Sequence, residues 1–342
     1  MNRRQFLFVS SALAAGCGHG PIPLGGSPQA PNTDAARIRE DLEWRATITR
    51  VRDRDWVLSD ARRTVPSTFD FTTALPELAN KKRTLVLPHP RYSDEPPVDG
   101  SKVGGTFLWP KDEPWPVCDV DRALRLVPAL QLRAEEFPEV GFPLGKDLLQ
   151  VLWCPREHAR CWAKPFLYWR KRDTVKVPLA EMPKDEAAYP RYVPLPCRLF
   201  PERLTELPSP HELGPLLQKL DEWNGRTQKF PGKRMEYVYA EATPQVGWKI
   251  GGWPHWIQAP EVPICKCGQS MELLLSFGSE YMNVSSAPTQ EHHLYPLAGK
   301  RELAAMENAA NAPQVRFIGE GYQFTFLCRR CPDWPVETIS QC

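Results

Sequence analysis

The sequence has no long hydrophobic run and no strong excess of charge of either sign. No apolar stretch approaches the roughly 20 residues that a membrane-spanning helix requires, so any membrane contact would have to come through the N-terminus. The formal net charge of the 342-residue chain is only +2, which provides neither a basic surface for nucleic acid nor an acidic tail. We therefore expect no nucleic-acid partner.

The local motifs of the common enzyme classes are also missing. The chain has no Gly-x-Ser-x-Gly elbow, no His-Glu-x-x-His, no phosphate loop and no dinucleotide fingerprint. A cysteine nucleophile could still meet a distant histidine in the fold, and the candidates are His89, His255, His292 and His293. The sequence favours a role without catalysis but leaves the question open.

Proline and tryptophan, in contrast, are abundant. The chain has 37 prolines and 12 tryptophans, and this proline content is about twice the usual frequency. Because proline interrupts helices and sheet ladders, we predict short strands, long ordered loops and few helices. The expected fold class is α+β.

The first 17 residues have the layout of an export signal. Two arginines at positions 3 and 4 precede an apolar run from Phe6 to Ala15 and then small residues that end in Cys17. The arginine pair resembles a twin-arginine signal, and "LAAGC" resembles a lipobox, in which the chain would be cleaved before Cys17 and lipidated on it. Cleavage after Ala14 without lipidation and an ordinary disordered tail are the alternatives. We expect an exported protein of the periplasm or cell envelope, anchored by lipid at Cys17.

The rest of the chain divides into five segments by composition and pattern. A Gly- and Pro-rich stretch over 18–34 predicts a flexible tether, and 35–83 predicts an N-terminal helical segment. The runs "RTLVLP", "DLLQVLWC" and "YQFTFLC" predict strands. We place one β-rich half at 84–208, a connecting helix at 209–224 and a second β-rich half at 225–342.

The connecting helix has the clearest local signals. Ser209 is the predicted N-cap, Pro210 suits the first turn, and Glu212 completes a capping box. One apolar stripe follows, formed by Leu213, Leu216, Leu217 and Leu220. Another helix is predicted from Lys300 to Ala310.

A weak internal repeat relates the two halves. "SKVGGTFLWP" begins at Ser101 and "WKIGGWPHWIQ" begins at Trp248, and each places Lys, a branched residue, Gly-Gly and a Trp in the same order. Cysteines follow each copy, and each half later ends a strand-like run in cysteine, as "LLQVLWCP" and "FTFLCRRCP". The predicted architecture is two related β-rich halves with few helices and knuckle-like cysteine turns.

The ten cysteines carry most of the functional signal. Two close pairs in the second half match the paired ligands of a structural zinc site, namely Cys265, Cys267, Cys328 and Cys331. Disulfides, which export favours, and free core thiols are the alternatives. A twin-arginine route would favour zinc, since its cargo folds in the reducing cytoplasm. We therefore predict a structural zinc ion.

The first half offers a weaker second set of ligands. It consists of Cys118, Asp121, Cys154, His158 and Cys161. Cysteine and histidine are usual zinc ligands and aspartate is a workable one. A buried cysteine at a strand end and a Cys154–Cys161 disulfide are the alternatives.

The aromatic residues near the two Gly-Gly turns suggest a partner-binding groove. Aromatic side chains beside backbone exposed by glycine can hold an extended peptide. The candidates are Trp115, Trp248, Gly251, Gly252 and Trp256. The simpler alternative is that these tryptophans fill the core of each half.

These motifs together resemble the YwqG-like family of uncharacterised bacterial proteins, which is distantly similar to eukaryotic programmed-cell-death-two type proteins. The similarity runs from about residue 84 to the last residue, and "GGWPHWIQ", "CGQSM" and "CRRCP" are its most specific elements. It implies an α+β fold of two similar halves and no established catalytic activity. For the eukaryotic relatives it implies a chaperone-like role toward a ribosomal protein, which an export signal would exclude here. The chain departs from the family at Cys265, since its first pair is Cys-x-Cys instead of Cys-x-x-Cys.

We therefore predict an exported, lipid-anchored, zinc-stabilised protein that binds an unknown protein or peptide without catalysis. A metal-dependent hydrolase that uses the first-half Cys/His set is one alternative. An immunity-type inhibitor of a secreted toxin is another.

Overall fold

In the part of the chain that the structure describes, twelve strands form two six-stranded antiparallel sheets, with few helices, in a β-rich α+β fold. This computed structural model describes residues 34–46, 69–121, 123–158, 161–240, 247–278, 312–317 and 321–342. The strands are β1 Arg83–Leu87, β2 Arg91–Tyr92, β3 Lys102–Val103, β4 Val127–Arg133, β5 Leu148–Trp153, β6 Pro165–Arg170, β7 Cys197–Arg198, β8 Glu202–Glu206, β9 Lys249–Gly251, β10 Glu272–Gly278, β11 Tyr322–Leu327 and β12 Val336–Gln341. The three runs predicted as strands are confirmed as β1, β5 and β11.

The two sheets have the same internal order. The first sheet runs β2-β7-β3-β4-β5-β6, and the second, read from its other edge, runs β8-β1-β9-β10-β11-β12. Each strand of one sheet therefore corresponds to a strand of the other sheet whose number differs by six, as β3 corresponds to β9. A bulge also recurs at the same place, at Ala129 between β4 and β5 and at Leu274 between β10 and β11. The chain thus contains two six-strand repeats, β1–β6 and β7–β12.

The repeats exchange their first strands. Strand β1 pairs with β8 and β9 in the second sheet, whereas β7 pairs with β2 and β3 in the first. The predicted boundaries at 84–208 and 225–342 are wrong in this respect, because β1 and β8 lie in the predicted first half but belong to the second sheet. The physical reason is that pairing between strands distant along the chain leaves no local signal in composition.

The sheets pack face to face, and a covering segment lies on the outer face of each. Alternate residues of β5 point between the sheets, where Trp153 packs edge-on against Phe277 of β10 with ring centroids 5.4 Å apart. Residues 107–126 cover the outside of the first sheet, around Trp109. Residues 256–271 cover the outside of the second, around Trp256.

Each repeat begins its covering segment with the same Lys-x-Gly-Gly turn. Gly104 and Gly252 both have positive φ, and a Cβ on Gly252 would overlap the Glu206 carboxylate. The lysine before each turn is buried and donates to the backbone carbonyl four residues later, Lys102 to Thr106 and Lys249 to Trp253. Glycine is required here because the chain doubles back against its own neighbouring strands.

Among the described residues the helices are few and lie outside the two sheets. They are α1 Asp34–Ala46, α2 Phe71–Ala74, α3 Pro210–Leu213, α4 Pro215–Thr227 and α5 Met235–Ala240. A separate cluster that includes Phe71, Leu213, Leu220 and Tyr239 packs four of them together. Helix α1 instead docks on Arg191, whose guanidinium lies 2.6 Å from the buried Asp41 carboxylate.

The predicted connecting helix is interrupted. Gly214 has φ 52° and ψ −124°, so α3 ends there and α4 begins at Pro215. Proline has no N–H to continue the ladder and disfavours helical geometry in the residue before it. The Ser209 side chain does not cap the backbone, although Glu212 does bond back to the backbone of Ser209.

Several sequence predictions fall outside the described residues. These are the export signal with Cys17, most of the tether, the helix over 300–310, and His292 and His293. Among the described residues, no helix has both the length and the apolar character that a membrane span needs.

Candidate metal centres

Two tight turns bring four cysteines of the second repeat together. Cys265 and Cys267 lie in the covering segment, in a turn closed by bonds from Cys265 N–H to the Gln269 carbonyl and from Gly268 N–H to the Cys265 carbonyl. Gly268 has φ +83°, a left-handed conformation that glycine adopts freely. Cys328 follows β11 directly, and Cys331 lies in the turn that leads to β12.

The four sulfurs lie close enough together to be compatible with one tetrahedral metal site. The Sγ atoms of Cys265 and Cys331 are 3.6 Å apart, as are those of Cys267 and Cys328, and all four lie within 4.8 Å of one another. Zn–S bonds of about 2.3 Å place tetrahedral sulfurs about 3.8 Å apart. A disulfide needs a separation of about 2.05 Å, and all four thiols are free. The predicted first ligand set is therefore brought together, in a geometry compatible with a structural metal.

The turns also supply hydrogen bonds that favour thiolates. Burial alone would raise the pKa of Cys328, but the N–H groups of Arg330 and Cys331 and the neighbouring thiols lower that pKa to about 7. Hydrogen bonds with Cys265 and Cys267, together with burial, raise the pKa of Cys331 to about 12. One thiol of the group thus ionises readily, while another, which hydrogen-bonds to its neighbours, keeps its proton. A divalent cation would supply the positive charge that allows all four thiols to ionise.

The cysteine cage links the covering segment to the sheet beneath it. Cys265 and Cys328 belong to the same apolar cluster as Trp256, Met271 and Phe326. Arg329, between the two cysteines of the second turn, donates to the carbonyl oxygens of Val140 and Gly141 in the other repeat. The cage therefore lies where the cover, the sheet and the opposite repeat meet.

Three residues of the weaker set form a second cluster in the first repeat. Cys118 Sγ lies 3.6 Å from His158 Nε2, and Cys154 completes a group whose ligand atoms all lie within 4.8 Å of one another. Cys118 and Cys154 are fully buried, while His158 is half-buried. Burial, and then the charge of Lys164, lower the pKa of His158, which favours the neutral imidazole that binds metals.

The other two residues predicted for this set stand apart from it. Cys161 is a free, buried thiol outside the group, and burial raises its pKa to about 11. The Asp121 carboxylate accepts from the Ala123 N–H, while its backbone N–H donates to Cys118 Sγ. Asp121 therefore contacts Cys118 through a backbone hydrogen bond, and its carboxylate is not part of the group.

The predicted aromatic groove is wrong for most of its members. Trp248 and Trp256 are buried, Trp248 between the sheets against Phe277 and Trp256 under the cover of the second sheet. Gly252 is buried against β1 and β8, and the half-buried Gly251 lies close to the Thr84 carbonyl. Trp115 is half-buried, and its indole N–H donates to the Leu126 carbonyl. These groups serve packing because the Gly-Gly turns fold inward and not toward solvent.

Two of the histidines proposed as catalytic candidates, His89 and His255, have structural partners. His89 is buried with its Nε2 2.8 Å from the Glu202 carboxylate. The ring of His255 lies against that of Tyr322, with centroids 5.1 Å apart. Neither lies in the two cysteine clusters.

Sequence reasoning missed the two buried lysines. The Lys102 ammonium donates to three backbone carbonyls, those of Pro97, Val98 and Thr106, and none of these acceptors is a carboxylate. Burial lowers the pKa of Lys102 to about 7. Lys249 pairs with the buried Glu206 at 3.0 Å. The signal was present in the repeat, since each Gly-Gly is preceded by lysine at the same distance.

Comparison of the chain with models of known protein families and with curated proteins finds no match, so the resemblance to the YwqG-like family stays a prediction.

Proposed function

We propose that the chain is a zinc-stabilised, exported binding protein whose Cys265–Cys267–Cys328–Cys331 site holds a structural Zn²⁺. The observation that supports this most directly is the set of four free thiols within 4.8 Å of one another. Four thiolates fill a tetrahedral zinc site and leave no position for substrate, which is the arrangement of structural sites. The ion would tie the cover to the second sheet.

The distribution of exposed apolar side chains supports a binding role. Ten large hydrophobic side chains are exposed in the described part of the chain, and five of them lie between 117 and 120 or between 257 and 264, beside the two cysteine clusters. Val120 and Ile264 are 67% and 65% exposed. Exposed apolar side chains that gather in one place mark interaction sites, and each cover carries such a group on the outer side of its own sheet. The proposed partner surfaces are therefore the exposed faces of the two cysteine turns, in place of the tryptophan groove.

Our proposal for the cellular location of the protein rests on the first 17 residues alone. We propose export and lipid anchoring at Cys17, on the charged–apolar–small layout of that segment. Membrane association of the full chain should then be lost in Cys17→Ser.

Metal content tests the zinc site. The full chain, purified under reducing conditions without chelator, should lose one zinc per chain in Cys328→Ser Cys331→Ser and should become less stable, because metal binding is coupled to folding. The matched control is Cys197→Ser, which changes a buried cysteine of β7 outside both clusters. An unchanged zinc content in the double variant would overturn the proposal.

Site-directed photo-crosslinking tests the binding surface. A crosslinker at Ile264 or Val120 should capture a defined partner in cells, whereas one at the similarly exposed Val177 should not. Equal capture at all three positions would refute partner surfaces at the cysteine turns.

A further inference from the structure

We propose that Cys118, Cys154 and His158 form a second zinc site whose fourth coordination position is open to an exchangeable ligand. In the resting protein this ligand would be water, and a small donor such as an imidazole or a thiolate could replace it. Part of the argument rests on the proposed four-cysteine site, because it uses the correspondence between the two repeats. The geometry of the three ligands is independent of that site.

The backbone places the two clusters at equivalent positions. Cys118 N–H bonds to Leu124 and Leu126 N–H bonds back to Pro116, just as Cys265 bonds to Gln269 and Met271 bonds back to Pro263. Val117 and Ile264 form isolated bridges at the same point of each turn. Cys118 therefore corresponds to Cys265.

The second ligand corresponds in the same way. Cys154 directly follows β5 and bonds through its N–H to the Lys164 carbonyl, one residue before β6. Cys328 directly follows β11 and bonds to the Pro335 carbonyl, one residue before β12. His158 lies in the turn after Cys154, where the second repeat has Cys331 in the turn after Cys328.

The fourth ligand is where the repeats differ. Two residues after the first cysteine, the second repeat has Cys267, but the first repeat has Val120, whose side chain cannot bind a metal and is exposed. Among the residues that the structure describes, no other Cys, His, Asp or Glu joins the three-ligand group. The nearby Asp119 carboxylate is paired with Lys164 at 2.5 Å.

The donor set suits zinc with an open position. Two thiolates and one imidazole are zinc ligands, and N–H groups donate to both sulfurs, from Asp121 to Cys118 and from Arg156 to Cys154. Three protein ligands with a water in the fourth place are typical of zinc sites at which chemistry or ligand exchange occurs. A metal-dependent hydrolase, the alternative function predicted from the sequence, would use this site.

Cobalt substitution of the full chain tests the proposal, because Co²⁺ reports its ligands by visible absorption. The wild-type chain should bind two Co²⁺, and both Cys154→Ser and His158→Gln should bind one. Cys161→Ser, which changes the neighbouring thiol outside the group, should still bind two. Imidazole should shift only those bands that the Cys154 and His158 variants lack.

Two results would overturn the inference. One is a wild-type metal content that Cys154→Ser and His158→Gln leave unchanged. The other is a second Co²⁺ whose absorption bands do not change with imidazole but do change in Cys161→Ser. That result would make Cys161 the fourth ligand, and the site would have no open position. Failure of the four-cysteine site is distinguishable, because Cys328→Ser Cys331→Ser would then lose no metal while Cys154→Ser would still lose one.

Discussion

At the scale of single residues, Lys102 is unusual because its side chain is fully buried without a carboxylate bonded to it. Its ammonium is enclosed by three backbone carbonyls, and the nearby charge of Asp99 only partly offsets a loss of solvation that lowers the pKa to about 7. Carbonyl oxygens satisfy the N–H groups but do not replace a full counter-charge. Lys249, at the same place in the second repeat, has Glu206 as a counter-charge instead.

Lys102 should make the stability of the protein depend on pH above neutrality. The unfolded chain keeps this proton up to about pH 10.4, whereas the folded chain releases it near pH 7. The contribution of Lys102 to the free energy of unfolding is therefore smallest below pH 7 and rises toward pH 10, by at most about 1.4 kcal/mol per pH unit. The stability deficit of Lys102→Met, measured by urea denaturation at pH 7, 8 and 9, should widen as the pH rises.

The control for this measurement is Lys146→Met, which replaces an exposed lysine. Its difference from wild type should stay constant over the same range. A deficit of Lys102→Met that narrows with rising pH would mean that the ammonium is better stabilised in the folded protein than in water.

At the scale of elements, one arginine of β6 contacts the cover of the first sheet in several ways. Arg170 makes two 2.6 Å bonds to the Glu113 carboxylate in the cover, stacks on Trp109 at 4.1 Å and donates to Gln150. Bidentate pairing and stacking on an aromatic ring both need a planar guanidinium. Arg170 thus joins a strand to the segment that carries Cys118.

Replacing Arg170 should destabilise the cover even when the charge is kept. We expect Arg170→Ala to cost about 2 kcal/mol of unfolding free energy and Arg170→Lys to lose most of the same amount. The adjacent Lys171→Ala, at a more exposed position paired only locally with Asp173, should leave the denaturation midpoint unchanged. A lysine variant as stable as wild type would show that charge alone holds the cover.

At the scale of the whole molecule, exchange of the first strands prevents the repeats from being independent domains. Strand β1 belongs to the first repeat but lies inside the second sheet, and β7 belongs to the second repeat but lies inside the first sheet. The inter-sheet core is built from both sheets, as the contact of Trp153 with Phe277 illustrates. Neither sheet can be completed without chain from the other repeat.

The two sheets should therefore unfold in one step. Amide hydrogens of β5 and of β11 should exchange with the same free energy of opening and the same denaturant dependence, because both require global unfolding. Native-state hydrogen exchange, measured on the full chain purified without chelator, checks this. Distinct opening energies for the two strands would mean that one sheet survives the loss of the other.

Local chemistry determined a substantial part of this protein from sequence alone. The spacing of the cysteine pairs indicated that four cysteines in two turns would lie close together, and the alternation of apolar residues marked β1, β5 and β11. The repeat of Lys-x-Gly-Gly with cysteines in register pointed to two related halves. These signals are readable because each depends on residues close together in the chain.

Tertiary structure alone decided the rest. The exchange of β1 and β7 joins residues far apart in sequence, so no local pattern marked it. The burial of Trp248 and Trp256 depended on which way the Gly-Gly turns fold, and the choice among Asp121, His158 and Cys161 depended on distances between loops. Burial and ligand geometry are properties of the assembled core, in which each side chain is placed by neighbours from both repeats.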